Sequence, residues 1–236
     1  MQPILSLDRV DLNLKSEAGI VNILKNISLD LPEGKTVSIV GPSGSGKTTL
    51  LMVLGGLEKP TGGTVTVAGA RLNGMDEDAL AVFRRDNIGI IFQNFHLIPT
   101  MTALENVAVP LEFAGVADAF TKAEAALTAV GLNHRLRHYP GQLSGGEQQR
   151  VAIARAFVTT PRLILADEPT GNLDADTGAA VTRILFDLTR QHGTTLVLVT
   201  HDAALAAACD IAVHIRDGEI QGADKTRGVA VQELPR

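Results

Sequence analysis

A glycine-rich octapeptide between a short apolar segment and a helical segment constrains this 236-residue chain more than any other feature. It reads Gly41-Pro42-Ser43-Gly44-Ser45-Gly46-Lys47-Thr48, which fits the pattern G-x-x-x-x-G-K-[ST]. A strand is predicted at 36–40 and a helix from 47 to about 55. Such glycines let backbone N–H groups turn toward phosphate oxygens, and the helix N-terminus adds a favourable dipole. The octapeptide therefore predicts a phosphate-binding loop, with Lys47 at the β- and γ-phosphates and the Thr48 hydroxyl on Mg²⁺.

Strand and helix patterns alternate on both sides of this loop. Before it, apolar residues alternate with polar ones at 5–14 and 27–31, which predicts two half-buried strands joined near residues 16–19. After it, strands predicted at 64–68, 88–92, 163–166 and 195–200 alternate with helices predicted at 76–85, 144–158, 175–191 and 203–208. A hairpin is predicted at 211–220, with its turn at Asp217-Gly218. This order indicates an α/β fold whose mainly parallel sheet is covered on both faces.

The middle of the chain differs in character. Residues 102–130 are rich in alanine and favour helices. We therefore expect a single domain at 4–222, with a core at about 4–93 and 159–222 and an inserted helical subdomain at about 94–158. Residues 223–236 are mostly polar, and we expect a flexible tail there.

The charge balance argues against a nucleic-acid partner. Lys and Arg number 21 against 26 Asp and Glu, a formal net charge of −5, and the chain has no Trp and one Tyr to stack on bases. The densest basic run, at 134–138, is interpreted first as a solvated face and second as a nucleotide or partner contact. The single cysteine, Cys209, permits no internal disulfide, so we expect a reducing compartment. The longest run without Asp, Glu, Lys or Arg, at 87–104, is too polar to span a bilayer.

Two carboxylates follow the predicted apolar strand at 163–166. Asp167 at the strand end would hold Mg²⁺, and Glu168 could polarise an attacking water as general base. Acidic residues also end strands for purely structural reasons, and only the phosphate-binding loop favours the catalytic interpretation.

A second anion site is indicated by residues 143–150, which read Leu-Ser-Gly-Gly-Glu-Gln-Gln-Arg. Ser144 can cap the helix that follows, while Gly145 and Gly146 expose backbone at its positive end. The alternative interpretation is an ordinary capped helix start.

Together and in this order, the motifs resemble those of the ATP-binding cassette (ABC) transporter ATPases over residues 4 to about 222. The resemblance implies a P-loop NTPase (RecA-like) core with an N-terminal antiparallel β subdomain and an inserted α-helical subdomain, and it implies ATP and Mg²⁺ as cofactors. Gln93 matches a glutamine that contacts Mg²⁺ and water and couples to a membrane partner. Asn172-Leu173-Asp174 matches a loop that crosses a dimer interface, and His201 matches a histidine that contacts the γ-phosphate.

The expected site is therefore as follows. The catalytic residues are Glu168, His201 and Lys47; the ATP-binding residues are Gly41, Pro42, Ser43, Gly44, Ser45, Gly46, Lys47, Thr48, Thr49, Gln93, Ser144, Gly145 and Gly146; and the metal ligands are Thr48, Gln93 and Asp167.

One expected feature is missing. Members of the family usually carry an aromatic residue that stacks on adenine, and Leu14 stands at that position. The phosphate contacts still support ATP as the nucleotide.

The neighbourhood of the motifs narrows the subfamily. Residues 166–174, Ala-Asp-Glu-Pro-Thr-Gly-Asn-Leu-Asp, and residues 146–150 are similar to the lipoprotein-release and macrolide-export group, whereas solute importers more often carry Ser-Ala-Leu-Asp. This resemblance implies a homodimer around two ATP molecules that drives an integral membrane permease, in export or in lipid or lipoprotein extraction, from the inner face of the cell membrane. A cell-division or signalling ATPase of the same family is the first alternative, and a family ATPase acting on DNA or ribosomes is the second.

A docking segment for the membrane partner is expected beside Gln93. The stretch 95–101 contains Phe95, Leu97, Ile98 and Met101 among polar residues, so we expect these four side chains to be exposed as one wall of a groove for a short helix of the permease.

Overall fold

The computed structural model describes residues 3–16 and 19–225, and two β-sheets form its framework. In chain order the elements are β1 (Leu5–Ser16), β2 (Gly19–Leu31), β3 (Thr36–Val40), α1 (Lys47–Leu54), β4 (Gly62–Val67), β5 (Ala70–Arg71), α2 (Glu77–Asn87), β6 (Ile88–Ile91), α3 (Ala103–Phe113), α4 (Ala119–Ala129), α5 (Gly145–Phe157), β7 (Leu163–Asp167), α6 (Ala175–His192), β8 (Thr195–Val199), α7 (Ala203–Ala207), β9 (Ile211–Arg216) and β10 (Glu219–Lys225).

The two sheets differ in strand direction. The first has the order β2-β1-β4-β5 and is antiparallel throughout. The second has the order β10-β9-β3-β8-β7-β6, and its strands are parallel except for β10, which pairs antiparallel with β9. The predicted strand pair at the start of the chain and the predicted mainly parallel sheet are both confirmed.

Alternate residues of the central strands are buried on opposite faces, which divides the core into two clusters. Leu163, Leu165 and Val197 belong to a cluster with α1 and the antiparallel sheet. Ile164 and Leu198 belong to a second cluster with α3, α4, α5 and α6. Because side chains point to opposite faces with a period of two, a strand buried on both sides is a continuous apolar run. This arrangement explains why β7 and β8 lack the alternation seen in β1.

Helices α3, α4 and α5 pack together, and α5 also packs against β6 and α6. Capping boxes start two of these helices: Thr102 with Glu105 begins α3, and Ser144 with Glu147 begins α5. In each box the serine or threonine hydroxyl accepts from a first-turn amide, and the glutamate accepts from the capping residue's own amide. The helices expected between residues 102 and 130 and after Ser144 are therefore present.

The C-terminal strand extends further than expected. Strand β10 continues to Lys225, with Ala223 opposite Val213 and Lys225 opposite Ile211 on β9. The predicted start of a flexible tail at residue 223 is therefore wrong, because backbone pairing with an edge strand requires no apolar side chains. The remainder of that tail, residues 226–236, lies outside the described residues.

A buried asparagine organises the entry to α3. Asn106 is fully buried; its Oδ1 accepts from the Ile98 amide at 2.7 Å, and its Nδ2 donates to the carbonyl oxygens of Ile98, Met101 and Thr102 at 3.0–3.1 Å. The Ile98 and Thr102 carbonyl groups also accept from the backbone amides of Met101 and Asn106, so the groups that depend on this side chain are the Ile98 amide and the Met101 carbonyl.

We expect Asn106→Ala to lower the free energy of unfolding by about 2–3 kcal/mol, because it leaves buried backbone groups unsatisfied. Asn73→Ala is the matched control. Asn73 is exposed although it also bonds backbone, through the Val65 amide and the Gly63 carbonyl, so its loss should cost less than about 1 kcal/mol. Urea unfolding followed by circular dichroism measures both, and equal losses would contradict this role of Asn106.

Candidate functional site

Apart from Ser144, Gly145 and Gly146, the predicted site residues lie where four neighbouring parallel strands end. The order β3-β8-β7-β6 places the ends of these strands side by side. The glycine-rich loop follows β3, His201 follows β8, Asp167 ends β7 with Glu168 directly after it, and Gln93 follows β6. Ligands of α/β sheets bind outside the carboxyl ends of the strands, which is where these residues meet.

Glycine is required at both ends of the phosphate-binding loop. A methyl group added at Gly41 would lie 2.0 Å from the carbonyl oxygen of Ile215, and Gly46 precedes α1 with φ of 96°. No side chain caps α1 among the residues that the structure describes, in contrast to α3 and α5. The first-turn amides of α1 therefore face the loop without a protein acceptor, which suits a phosphate group.

Lys47 lies across the loop. Its Nζ donates to the carbonyl oxygens of Gly41 and Pro42 at 3.0 and 2.8 Å. These neutral acceptors hold the ammonium group over the loop without neutralising it. Its charge is therefore available to an anion that enters there.

The two strongest candidate metal ligands are in contact. The Thr48 hydroxyl donates to Asp167 Oδ1 at 3.1 Å, across 119 residues of sequence. Burial raises the pKa of Asp167 above its usual value, and the Thr48 hydrogen bond opposes this shift. Among the described residues no group of three or more His, Cys, Asp or Glu could hold a metal ion. A hydroxyl and one carboxylate suit Mg²⁺, which is typically shared between few protein oxygens and substrate phosphates.

Glu168 and His201 form an ion pair. His201 Nδ1 lies 2.8 Å from Glu168 Oε2, and this hydrogen bond raises the pKa of His201 above its usual value. Glu168 has φ of 46°, a left-handed conformation that costs a residue with a side chain about 1–3 kcal/mol. Its amide donates to the carbonyl oxygen of Val199 on β8 at 3.0 Å, which holds it in this conformation.

Gln93 contacts the loop that begins at Asn172. Gln93 Nε2 donates to Asn172 Oδ1 at 3.2 Å, and Asn172 Nδ2 donates to the Gln93 carbonyl oxygen at 3.1 Å and to Asn94 Oδ1 at 2.9 Å. These bonds join the segment after β6 to the segment after β7.

The helix start at Ser144, predicted as a second anion site, lies in different surroundings. Ser144 is exposed at the start of α5. Its hydroxyl accepts from the Glu147 amide and is also hydrogen-bonded to the Glu147 carboxylate. A methyl group added at Gly145 would approach Leu173 and Phe95, and one added at Gly146 would approach Thr177. None of these neighbours belongs to the glycine-rich loop.

The adenine position is apolar without being aromatic. Leu14 on β1 is opposite Val21 on β2, and both are exposed. The same hairpin reaches the glycine-rich loop, because a methyl group added at Gly46 would lie 3.0 Å from the Ile23 carbonyl oxygen. Leu14 and Val21 thus offer a flat apolar surface on the strand pair that borders the loop.

The expectation for residues 95–101 is wrong in part. Leu97 packs against the second core cluster, Phe95 and Met101 are half-buried, and of the four only Ile98 is exposed. Alternating polar residues suggested an exposed segment, but α3 and α5 cover it.

An apolar groove that the sequence did not indicate lies between α2 and α3. It has a volume of about 410 Å³, and its lining residues are Ala81, Val82, Arg85, Val109, Pro110 and Phe113. Phe113 is 77% exposed and Val82 is 49% exposed. Phe113 ends α3 in the apolar run Val-Pro-Leu-Glu-Phe, and nothing in that run marks its side chain as exposed.

Comparisons with known proteins agree with this geometry. A family model described as ABC transporter matches residues 24–171, more than half of the chain. The ATP-binding protein YbbA of Escherichia coli (strain K12), itself described as uncharacterized, is 49% identical over 85% of this chain and 89% of its own length. The lipoprotein-releasing system ATP-binding protein LolD of Geobacter metallireducens is 51% identical over 85% of this chain and 90% of its own length.

Solved structures give the same result. The ATP-binding cassette MJ0796, a dimer in a post-hydrolysis state with ADP and Pi, superposes with a TM-score of 0.88 at 43% identity, covering 95% of this chain and 100% of its own. Within residues 3–16 and 19–225, no helix combines the length and the apolar character needed to cross a membrane.

We expect nuclear magnetic resonance to give His201 a pKa above that of a free histidine, because Glu168 favours its charged form. Glu168→Gln should return this pKa toward the ordinary value, while Asp176→Asn, at an exposed carboxylate on α6, should leave it unchanged. The ion pair stabilises the fold below the pKa of an unfolded histidine, and its contribution disappears as pH rises through the raised folded pKa. An unchanged His201 pKa in Glu168→Gln would show that the contact does not persist in solution.

Proposed function

This chain belongs to the ABC transporter family as an ATP-binding, ATP-hydrolysing cassette, and from that premise we propose that it powers a permease that extracts lipids or lipoproteins from a membrane. The observation that carries the ATPase chemistry is the meeting of Thr48 with Asp167 and of Glu168 with His201 at one sheet edge. The cargo class is supported by the lipoprotein-releasing LolD relatives at 48–51% identity and by the Gly-Asn-Leu-Asp segment at 171–174.

We assign the roles from the contacts. The loop at 41–46 binds the phosphates through its backbone N–H groups, of which Pro42 has none and Ser45 donates to the Pro42 carbonyl, together with those of Lys47, Thr48 and Thr49. The Lys47 ammonium leaves its two carbonyl partners for the β- and γ-phosphate oxygens. Thr48 and Asp167 hold Mg²⁺, with Gln93 as the third candidate ligand. Bound Mg²⁺ offsets phosphate charge as it builds up.

Glu168 is proposed as the general base. Its carboxylate is mostly buried, with the side chain 19% exposed, so a water between it and the γ-phosphate would be shielded from bulk solvent. His201, whose side chain is 75% exposed, holds the carboxylate now and could swing toward the γ-phosphate without disturbing packing. The left-handed backbone of Glu168 and its contact with the exposed His201 thus place the proton-accepting carboxylate beside the phosphates.

Closure of the site needs a second copy. Ser144, Gly145 and Gly146 present an exposed hydroxyl and the first amides of α5, but the neighbours of the two glycines are Phe95, Leu173 and Thr177 instead of the chain's own phosphate-binding loop. We propose that they bind the γ-phosphate of ATP held by a partner copy. ATP then joins two copies, and its hydrolysis removes the group that both hold.

The apolar groove between α2 and α3 is the proposed permease contact. Phe113, at 77% exposure, and Val82 would be covered by a short amphipathic helix of the membrane subunit. This contact would place the cassette on the inner face of the cell membrane, the side on which ATP is available.

Replacement of Glu168 by Gln tests the ATP-dependent dimer. The amide keeps the size of the side chain but removes the base, so ATP should bind while turnover falls by about 10²–10⁴-fold. Size-exclusion chromatography with light scattering should show a monomer without nucleotide and a dimer with ATP and Mg²⁺. Adding Ser144→Arg should abolish the dimer, while Thr121→Arg at an exposed site on α4 should not. Wild-type turnover in Glu168→Gln would remove Glu168 from catalysis, and a dimer that survives Ser144→Arg would contradict the shared site.

Phe113→Asp tests the permease contact. Because buried aromatic anchors contribute about 2 kcal/mol or more to an interface, this change should weaken permease binding by about 30-fold and remove stimulation by the permease. ATPase activity of the isolated cassette should remain within about twofold of wild type, because the groove lies away from the sheet edge. Phe120→Asp, at an aromatic residue of α4 that is 46% exposed, is the control and should still bind. Equal loss in both variants would contradict this assignment.

A further inference from the structure

The segment that follows Gln93 contains an unusual backbone conformation. Phe95 has φ of 59° and His96 has φ of 47°, so two successive residues with side chains are left-handed. This conformation is unfavourable for L-residues and normally occurs singly. Surrounding contacts must therefore hold this segment in place.

Arg155 on α5 supplies such contacts. Its Nη2 donates to the Phe95 carbonyl oxygen at 2.9 Å and its Nη1 donates to the His96 carbonyl oxygen at 2.7 Å. Burial lowers the pKa of Arg155, and within the described part of the chain no carboxylate lies at ion-pair distance from it. The half-buried guanidinium of Arg155 thus donates to the carbonyl groups of both strained residues.

The same segment is held from its other side. Asn172 bonds to Gln93 and Asn94, as described above. The Phe95 ring lies near Gly145, because a methyl group added there would be 3.8 Å from Phe95 Cζ. Residues 93–96 therefore lie between the helix that begins at the second anion site and the loop that begins at Asn172.

We propose that Arg155 is a positioning residue that sets the place of Gln93 at the metal site by holding Phe95 and His96 in their left-handed conformation. This inference rests on the proposed role of Gln93 as a ligand of Mg²⁺ and water. Arg155 does not touch the nucleotide. Arg155 lies 11 residues after Ser144, and the α5 helix between them rises about 16 Å. If the start of α5 moves when it binds ATP held by a partner copy, the rigid helix carries that movement through Arg155 to Gln93.

The experiment is a double-mutant cycle on the full chain, with the variants Gln93→Ala, Arg155→Met and both together. We expect Arg155→Met to lower kcat by about 10- to 100-fold, because misplacement of a catalytic contact by about 1 Å has effects of that size. The KM for ATP should stay within about threefold, since the phosphate-binding loop is intact. The double variant should be no slower than Gln93→Ala alone, because Arg155 acts only through Gln93.

The control is Arg84→Met. Arg84 also donates to a backbone carbonyl, that of Gly56 at 2.8 Å, but it lies on α2 and has no contact with residues 93–96. The Arg84→Met variant should keep kcat within about twofold of wild type, even if its melting temperature falls as far as that of Arg155→Met. A loss of kcat that only tracks stability would appear in both variants and would overturn the proposal.

A rescue separates backbone positioning from a loss of packing. Glycine adopts left-handed φ without steric cost, so His96→Gly in the Arg155→Met background should recover kcat by about threefold or more. No recovery would contradict the proposal. If Arg155→Met does not fold, Arg155→Lys replaces it in the cycle, because it keeps the charge but not the paired donors.

The outcomes also distinguish a failure of the proposed role of Gln93 from a failure of the positioning role of Arg155. If Gln93→Ala hydrolyses ATP like wild type, the role of Gln93 fails and this inference fails with it. If Gln93→Ala is slow while folded Arg155→Met is fast, or if the two effects add, only the inference about Arg155 is overturned.

Discussion

The parallel alignment of β3, β8, β7 and β6 is the constraint on which the rest of the structure depends. Because these strands run in one direction, their ends lie along one edge, and residues far apart in sequence become neighbours there. Such a sheet must be buried on both faces, and the antiparallel sheet with α1 covers one face while the helical insert and α6 cover the other. One of the helices that cover the sheet, α5, begins at Ser144, where the second anion site is proposed.

Groups that would bind ATP or activate water are bonded to other groups of the same chain. Lys47 is bound by the carbonyl groups of its own loop, and Glu168 is bound by His201. Each of these contacts occupies a group that ATP hydrolysis would use, and each can be exchanged for a phosphate or water contact. The exposed Ser144 hydroxyl lies at the start of α5, away from the glycine-rich loop. In the proposed dimer the chemistry would be divided between two copies of the chain, and assembly would be a condition for turnover.

The polar groups of this site are placed for the phosphate end of a nucleotide. The loop amides, Lys47 and the Thr48–Asp167 pair all address phosphates or metal, whereas the base position offers only Leu14 and Val21. An aliphatic surface contributes burial but lacks the stacking of an aromatic ring. In the proposed dimer, the γ-phosphate would lie where the two copies meet.

Local sequence determined a large part of this protein. The glycine spacing at 41–46, the capping box at Ser144 and the apolar run before Asp167 each act through neighbours a few residues away, so they could be identified without coordinates. Tertiary structure decided the contact of Thr48 with Asp167, the burial of Leu97, the exposure of Phe113 and the bonds of Arg155 to residues 95 and 96. Strand order and helix packing bring these groups together or cover them. The type of a residue does not determine which distant segment packs against it, because that contact depends on how the whole chain folds.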